Sequence, residues 1–99
     1  MDNRINYTER AAFLKALSNP IRLQIVHSLL VSGCHNVSCM EQSTGMSQSC
    51  ISQHLQKLRS AGIVAAERVG NEVYYRVRSE EVAPLVASLL KEEAASYVS

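Results

Sequence analysis

The sequence predicts a mainly α fold with one small β-hairpin, its elements in the order ααααββα. Three observations carry this. Apolar residues recur at helical spacing, as in Ile51, Leu55 and Leu58 at i, i+4 and i+7. Between Val64 and Arg78 the spacing changes to the alternation of strands, interrupted by Gly70-Asn71. Gly45 stands just ahead of Ser47, so one short helix stops where the next can start. Helix, tight turn, helix and hairpin make a helix-turn-helix followed by a wing.

The elements follow in order. Tyr7 to Leu17 is a helix, with Thr8 and Glu9 as candidate cap and Phe13, Leu14 and Leu17 as its apolar stripe. Ser18-Asn19-Pro20 breaks it. Pro20 suits the first position of a second helix capped by Asn19, carrying Ile21, Ile25 and Leu29 with Val26 and Leu30 one step round, and ended by Gly33. Ser38-Cys39-Met40-Glu41 has the spacing of a capping box, opening a short third helix that Gly45 stops. Ser47 caps the fourth, which turns a polar face outward and stops at Gly62. Val64–Val69 and Glu72–Arg78 are strands joined by the two-residue turn. Val73, Tyr75 and Val77 face one way and Tyr74, Arg76 and Arg78 the other. Glu80 to about Tyr97 is a last helix with Val82, Leu85, Val86, Leu89 and Leu90 as its stripe and Pro84 in its first turn.

Ninety-nine residues suit one domain, 1–99, or one subunit of an obligate oligomer whose end helices need a partner chain to cover them. The net charge of +1 does not by itself advertise a polyanion partner. Its distribution is uneven: Lys57, Arg59, Arg68, Arg76 and Arg78 face only Glu67 and Glu72 in the middle, while the tail carries Glu80, Glu81, Glu92 and Glu93 against Lys91. No apolar run reaches membrane-spanning length and the first residues lack a signal-peptide core, so the expected compartment is the cytoplasm. Cys34, Cys39 and Cys50 are then expected to be reduced, and an odd count speaks against a disulfide framework.

The exposed side of the fourth helix is rich in Ser and Gln, which can read base edges, and ends in Lys57 and Arg59, which can bind phosphate. Taken alone, such a face could be merely solvated. Beside a turn and a hairpin expected to hold Arg68 and Arg76 near its tip, it suits DNA.

Three runs then carry a family likeness. They are Phe13 to Arg22, Met46 to Leu58, and Ala61 to Val64 with Gly70 to Val77. In them the chain resembles the ArsR/SmtB (arsenic-repressor) family of bacterial winged-helix regulators over nearly its whole length. The resemblance implies a homodimer, joined through the first and last helices, that binds a pseudo-palindromic double-stranded DNA operator and usually represses. It places Ser47, Gln48, Ser49, Ser52, Gln53 and His54 in the major groove, Lys57 near phosphate, and Arg68, Asn71 and Arg76 in the wing. His54 has an equal alternative, packing or capping between helices.

The family's standard metal ligands are not matched. After Ser79 there is no His, Asp or Cys for the Asp-x-His and His-x-x-Glu set of the last helix. At the third-helix site, Asn36 and Ser38 fall where the family has two cysteines, while Cys34 and Cys39 fall at its acidic positions. The last-helix cysteine of the persulfide-sensing subgroup is absent too. Cys34, His35, Cys39 and Cys50 remain as a loose cluster that could take a thiophilic metal ion as cofactor, or could be small fillers. With Ser38 and Ser47 as caps, Cys39 and Cys50 would begin helices, where thiolates are favoured. Oxidation or persulfidation there would then disturb the reading helix.

No Ser/His/acid set, phosphate loop or carboxylate pair suggests an enzyme. The leading expectation is a DNA-binding regulator, a homodimeric repressor released by a thiol-redox or metal signal. The alternative is a winged-helix module that binds protein and senses nothing.

Overall fold

The computed structural model describes residues 4–31 and 35–97. Its elements are α1 (Tyr7–Leu17), α2 (Pro20–Val31), α3 (Val37–Thr44), α4 (Gln48–Ser60), β1 (Val64–Val69), β2 (Glu72–Val77) and α5 (Val82–Leu90), followed by a 3-10 turn at Ala94–Ser96. This is the expected ααααββα order and a winged helix-turn-helix. The stop expected at Gly33, like Cys34, lies outside the described residues.

Side-chain caps set the helix starts. Asn19 Oδ1 accepts from the Ile21 and Arg22 amides at 2.9 and 3.0 Å, as expected for α2. Ser47 Oγ accepts from Cys50 N at 3.2 Å to open α4. Two caps differ from expectation. Asn6, not Thr8, opens α1 by accepting from Glu9 N at 3.0 Å. Asn36, not Ser38, opens α3 by accepting from Cys39 N at 2.8 Å. Asn is as good an N-cap as Ser. Once Asn36 takes the role, Ser38 falls inside the helix and no capping box forms.

Two helices close alike. After α4, Gly62 N reaches Arg59 O and Ile63 N reaches Leu58 O, both at 3.0 Å, with Gly62 at φ +79°. After α5, Lys91 N reaches Ser88 O at 3.3 Å and Glu92 N reaches Ala87 O at 2.8 Å, with Lys91 at φ +60°. Both are Schellman closures, the second built without glycine. That explains why α5 stops at Leu90 rather than near Tyr97: no glycine or proline marks the place.

The core is one apolar cluster. Ile25, Val26, Leu29 and Leu30 of α2 meet Met40 of α3, Ile51, Leu55 and Leu58 of α4, Ile63 and Val64, and Val82 and Val86 of α5. No polar side chain among the described residues is buried. Leu17 is buried with this cluster, but Leu14 is 55 % exposed, so the pair expected to form one stripe divides between core and surface. No helix among the described residues is long and apolar enough to cross a membrane.

The hairpin pairs Val64 with Val77 at its foot and Val69 with Glu72 at its tip, around Gly70-Asn71. Its second edge is held as well: Tyr75 N donates to His35 O at 2.7 Å, and Asn36 bridges to Tyr74.

The α5 tail is fastened to α2. Glu92 Oε1 accepts from Tyr97 OH at 2.6 Å and lies 2.9 Å from His27 Nε2. The His27 and Tyr97 rings meet edge-on at 6.0 Å. Bonds from Tyr97 and His27 hold the Glu92 carboxyl below its ordinary range. Burial, then the Glu92 bond, pushes the Tyr97 phenol up to about 12. A phenol pKa raised on folding stabilises below the unfolded value and loses that contribution as pH rises through the folded one. One of the four tyrosines should therefore ionise near pH 12 rather than near 10 in an ultraviolet titration, and Glu92→Gln should return it towards 10. A single tyrosine transition near 10 in the folded protein would refute the clasp.

Candidate nucleic-acid interface

Helix α4 stands free on one side because only Ile51, Leu55 and Leu58, with Cys50 and His54 partly, turn inward. Ser47, Gln48, Ser49, Ser52, Gln53 and Lys57 are all exposed. Gly45, in the left-handed region at φ +75°, returns its N–H to Glu41 O at 2.9 Å and turns the chain from α3 into α4 within three residues. The polar side chains thus project from a rigid helix braced by α3, as a major-groove reader needs.

His54 is half-buried, and its Nδ1 lies 3.4 Å from Arg22 Nη1. Arg22 is itself fixed, donating from Nε to Ala16 O at 2.6 Å. Burial, then the Arg22 and Lys57 charges, lowers the His54 pKa from its ordinary value. The ring stands between α2 and α4, apart from the exposed serines and glutamines.

The wing needs a correction. Arg68 pairs with Val73, next to the tip, whereas Arg76 pairs with Ala65, next to the foot. Directly paired residues of an antiparallel ladder share a face, and neighbours along a strand alternate. Arg68 therefore lies on the Val73–Tyr75–Val77 face and Arg76 on the Tyr74 face. Both are exposed, as is Asn71 at the turn, but the two arginines do not form one patch near the tip. The register that determines this was readable from the two-residue turn.

The thiols also differ from expectation. Cys39 is disulfide-bonded and Cys50 is a free thiol. The expectation of three reduced cysteines therefore fails at Cys39. Both residues occupy the third helical position, where each amide is bonded to its cap, Asn36 or Ser47. Cys50 Sγ lies 3.9 Å from Met46 Sδ. His35, the imidazole of the loose cluster, has its Nδ1 3.0 Å from Tyr75 O. Among the described residues no three His, Cys, Asp or Glu side chains gather as a metal-binding group.

Sequence reasoning missed Lys15 and Arg22. With Gln53, Gln56 and Lys57 they line a cleft of about 760 Å³ between α1 and α4. In the sequence, Arg22 stands only as the end of the Phe13 to Arg22 run that carries the family likeness.

A braced polar helix beside a two-stranded wing defines a winged helix-turn-helix regulator. The chain belongs to the arsR family of bacterial regulatory proteins, whose pattern matches residues 19–66. It is 40% identical over 89 residues to the biofilm growth-associated repressor of Xylella fastidiosa, covering 90% of this chain and 75% of that one. Among solved structures, reduced HlyU from Vibrio cholerae superposes with a TM-score of 0.77 at 33% identity, over 87% of this chain and 90% of that one. The homodimeric winged helix-turn-helix DNA-binding domain Mb0332 from Mycobacterium bovis gives 0.77 at 36% identity, over 92% and 88%.

Proposed function

We propose that this protein is a homodimeric transcriptional repressor that binds a pseudo-palindromic operator through α4 and the hairpin tip. The observation that carries this is the α4 surface: Ser47, Gln48, Ser49, Ser52, Gln53, Gln56 and Lys57 are all exposed along a helix that Ile51, Leu55 and Leu58 anchor in the core. Gln48, Ser49, Ser52 and Gln53 read bases, with Ser47 at the helix start and Lys57 on the backbone. Arg68 and Asn71 carry the wing contact. Arg76, on the other face near the foot, adds to the field without gripping the same groove. His54 orients the helix through Arg22 rather than touching a base. The repressor relative and the homodimeric neighbour support the reading.

Selection of bound fragments from genomic DNA, followed by titration on the selected site and on random duplex, tests it. Gln53→Ala should cost about 1–3 kcal/mol on the selected site and little on random DNA, because only a base contact distinguishes the two. Arg68→Ala should weaken both alike and flatten the salt dependence. Failure to bind any duplex, at low salt and in reduced or oxidised form, would remove the DNA reading.

The signal we assign to this repressor is thiol oxidation, because Cys39 is bonded at the start of the first helix of the reading motif. Reduction of that disulfide should restore operator affinity that oxidation lowers. Equal affinity in both states, with the thiol count confirmed, would leave the disulfide without a regulatory role.

A further inference from the structure

We propose that the cleft between α1 and α4 is a second DNA contact, in which Lys15 and Arg22, with Lys57, grip a backbone phosphate flanking the bases read by α4. The proposal rests on the DNA reading above and extends it to a helix outside the helix-turn-helix. The cleft is lined by Lys15, Arg22 and Lys57 together with Gln53, Gln56 and Ser60, and by no acidic residue. Lys15 and Lys57 are exposed, and among the described residues the ion pairs Arg10–Glu81 and His27–Glu92 involve neither. Three like charges around one concavity repel, and an anion between them relieves the repulsion.

The chemistry of the lining favours phosphate. Arg22 is pre-set: Nε is bonded to Ala16 O and Nη1 faces His54, which fixes the guanidinium plane while leaving further N–H donors of its five. Two lysines supply mobile point charges, and Gln56 and Ser60 supply neutral donors. The positive potential is also felt by His54, whose proton is disfavoured by Arg22 and Lys57 in addition to burial.

The placement favours DNA as the source of that phosphate. Gln53 belongs both to the reading face and to the cleft wall. A major groove about 12 Å wide is filled by one helix. A second helix packed against the first, with axes about 8–10 Å apart, then meets the sugar-phosphate strand bounding the groove. Here α1 is packed against α4, with Lys15 and Ala16 on that side.

The test is Lys15→Gln, at an exposed position with no bond to lose, alongside Lys15→Arg as the conservative control. Each phosphate contact contributes about 0.9 to the slope of log K against log salt, which is roughly eightfold in affinity at 0.1 M salt. Lys15→Gln should therefore flatten the slope by about that amount and lower affinity equally on selected and random duplex, whereas Lys15→Arg keeps both. Ethylation of one flanking phosphate should weaken the wild type and weaken Lys15→Gln distinctly less, because Arg22 and Lys57 still face that phosphate. An unchanged slope and an unchanged ethylation pattern, with the wild type binding normally, would overturn the cleft contact while sparing the repressor reading. If the wild type binds no duplex, the repressor reading fails instead. The cleft is then judged by titrating pyrophosphate against the Lys15 and Arg22 side-chain NMR signals: shifts that saturate would keep an anion site there, and their absence would remove it.

Discussion

Leu58→Ala is expected to destabilise the folded chain by about 3 kcal/mol, within the 2–5 kcal/mol typical of buried leucines. Leu58 is fully buried on α4, in the cluster that joins this helix to α2 and α5. Cutting its isobutyl group back to a methyl forfeits transfer free energy and opens a cavity that the surrounding helices can close only by moving. A domain of this size has about 5–15 kcal/mol in all, so the loss is a large fraction, and the melting temperature should fall by roughly 15 °C. Ser52→Ala on the exposed face of the same helix should change stability by less than about 0.5 kcal/mol. The two substitutions separate the helix's tasks. Leu58→Ala should bind DNA nearly normally at a temperature where it remains folded, whereas a reading-face substitution alters binding at unchanged stability. Urea unfolding followed by circular dichroism, at fixed protein concentration because the proposed dimerisation would shift the midpoint, measures both. A loss below 1 kcal/mol for Leu58→Ala would mean that the core around α4 is not packed as described.

What could be read from the sequence divides along the range of the interactions. Apolar spacing and left-handed glycines act within a few residues. Gly45, Ser47, Gly62 and the Gly70-Asn71 turn all stand where the sequence placed them, and the reading helix between Ser47 and Gly62 came with them. Competition between equivalent local signals was harder to settle. Asn36 and Ser38 both suit a cap, and the backbone selects Asn36, two residues earlier. Features made by distant segments were not legible. The clasp after α5, in which Glu92 bonds Tyr97 and reaches His27 on another helix, is one. The cleft joins Lys15 and Arg22 to Lys57, residues more than thirty positions apart. Arg68 and Arg76 are an intermediate case. Their separation follows from counting residues back from the turn, a step that composition alone does not prompt.

Leu14→Asp combined with Leu89→Asp is expected to give a folded monomer that loses most of its operator affinity. Leu14 and Leu89 are 55 % and 58 % exposed, on α1 and α5, so an aspartate at either place meets water in the single chain and costs the core little. Leu17, one helical step from Leu14, is 5 % exposed and would confuse unfolding with dissociation. Tyr7, 70 % exposed, stands seven residues before Leu14 and so on the same side of α1, with Ile5 also exposed just before the helix. Large apolar side chains held out in this way on both end helices suit a partner surface. The ion pair of Arg10 with Glu81 ties α1 to the start of α5, so both helices would enter the interface together. In a two-fold dimer each residue meets the partner's copy of the same patch, and two aspartates per chain bring like charges into a desolvated interface. The effect on DNA is larger than the effect on assembly. Two half-sites bound by one dimer gain about 10²–10⁴ over a single reading helix through effective concentration alone, and the monomer forfeits that factor. Sedimentation equilibrium should show one chain mass for the double variant, with far-ultraviolet circular dichroism unchanged, and titration on a full operator should approach the affinity of a half-site. A double variant that still sediments as a dimer would place the interface elsewhere. A monomer that binds the full operator as tightly as the parent would show that one reading helix with its wing suffices, and the pseudo-palindrome would have no physical basis.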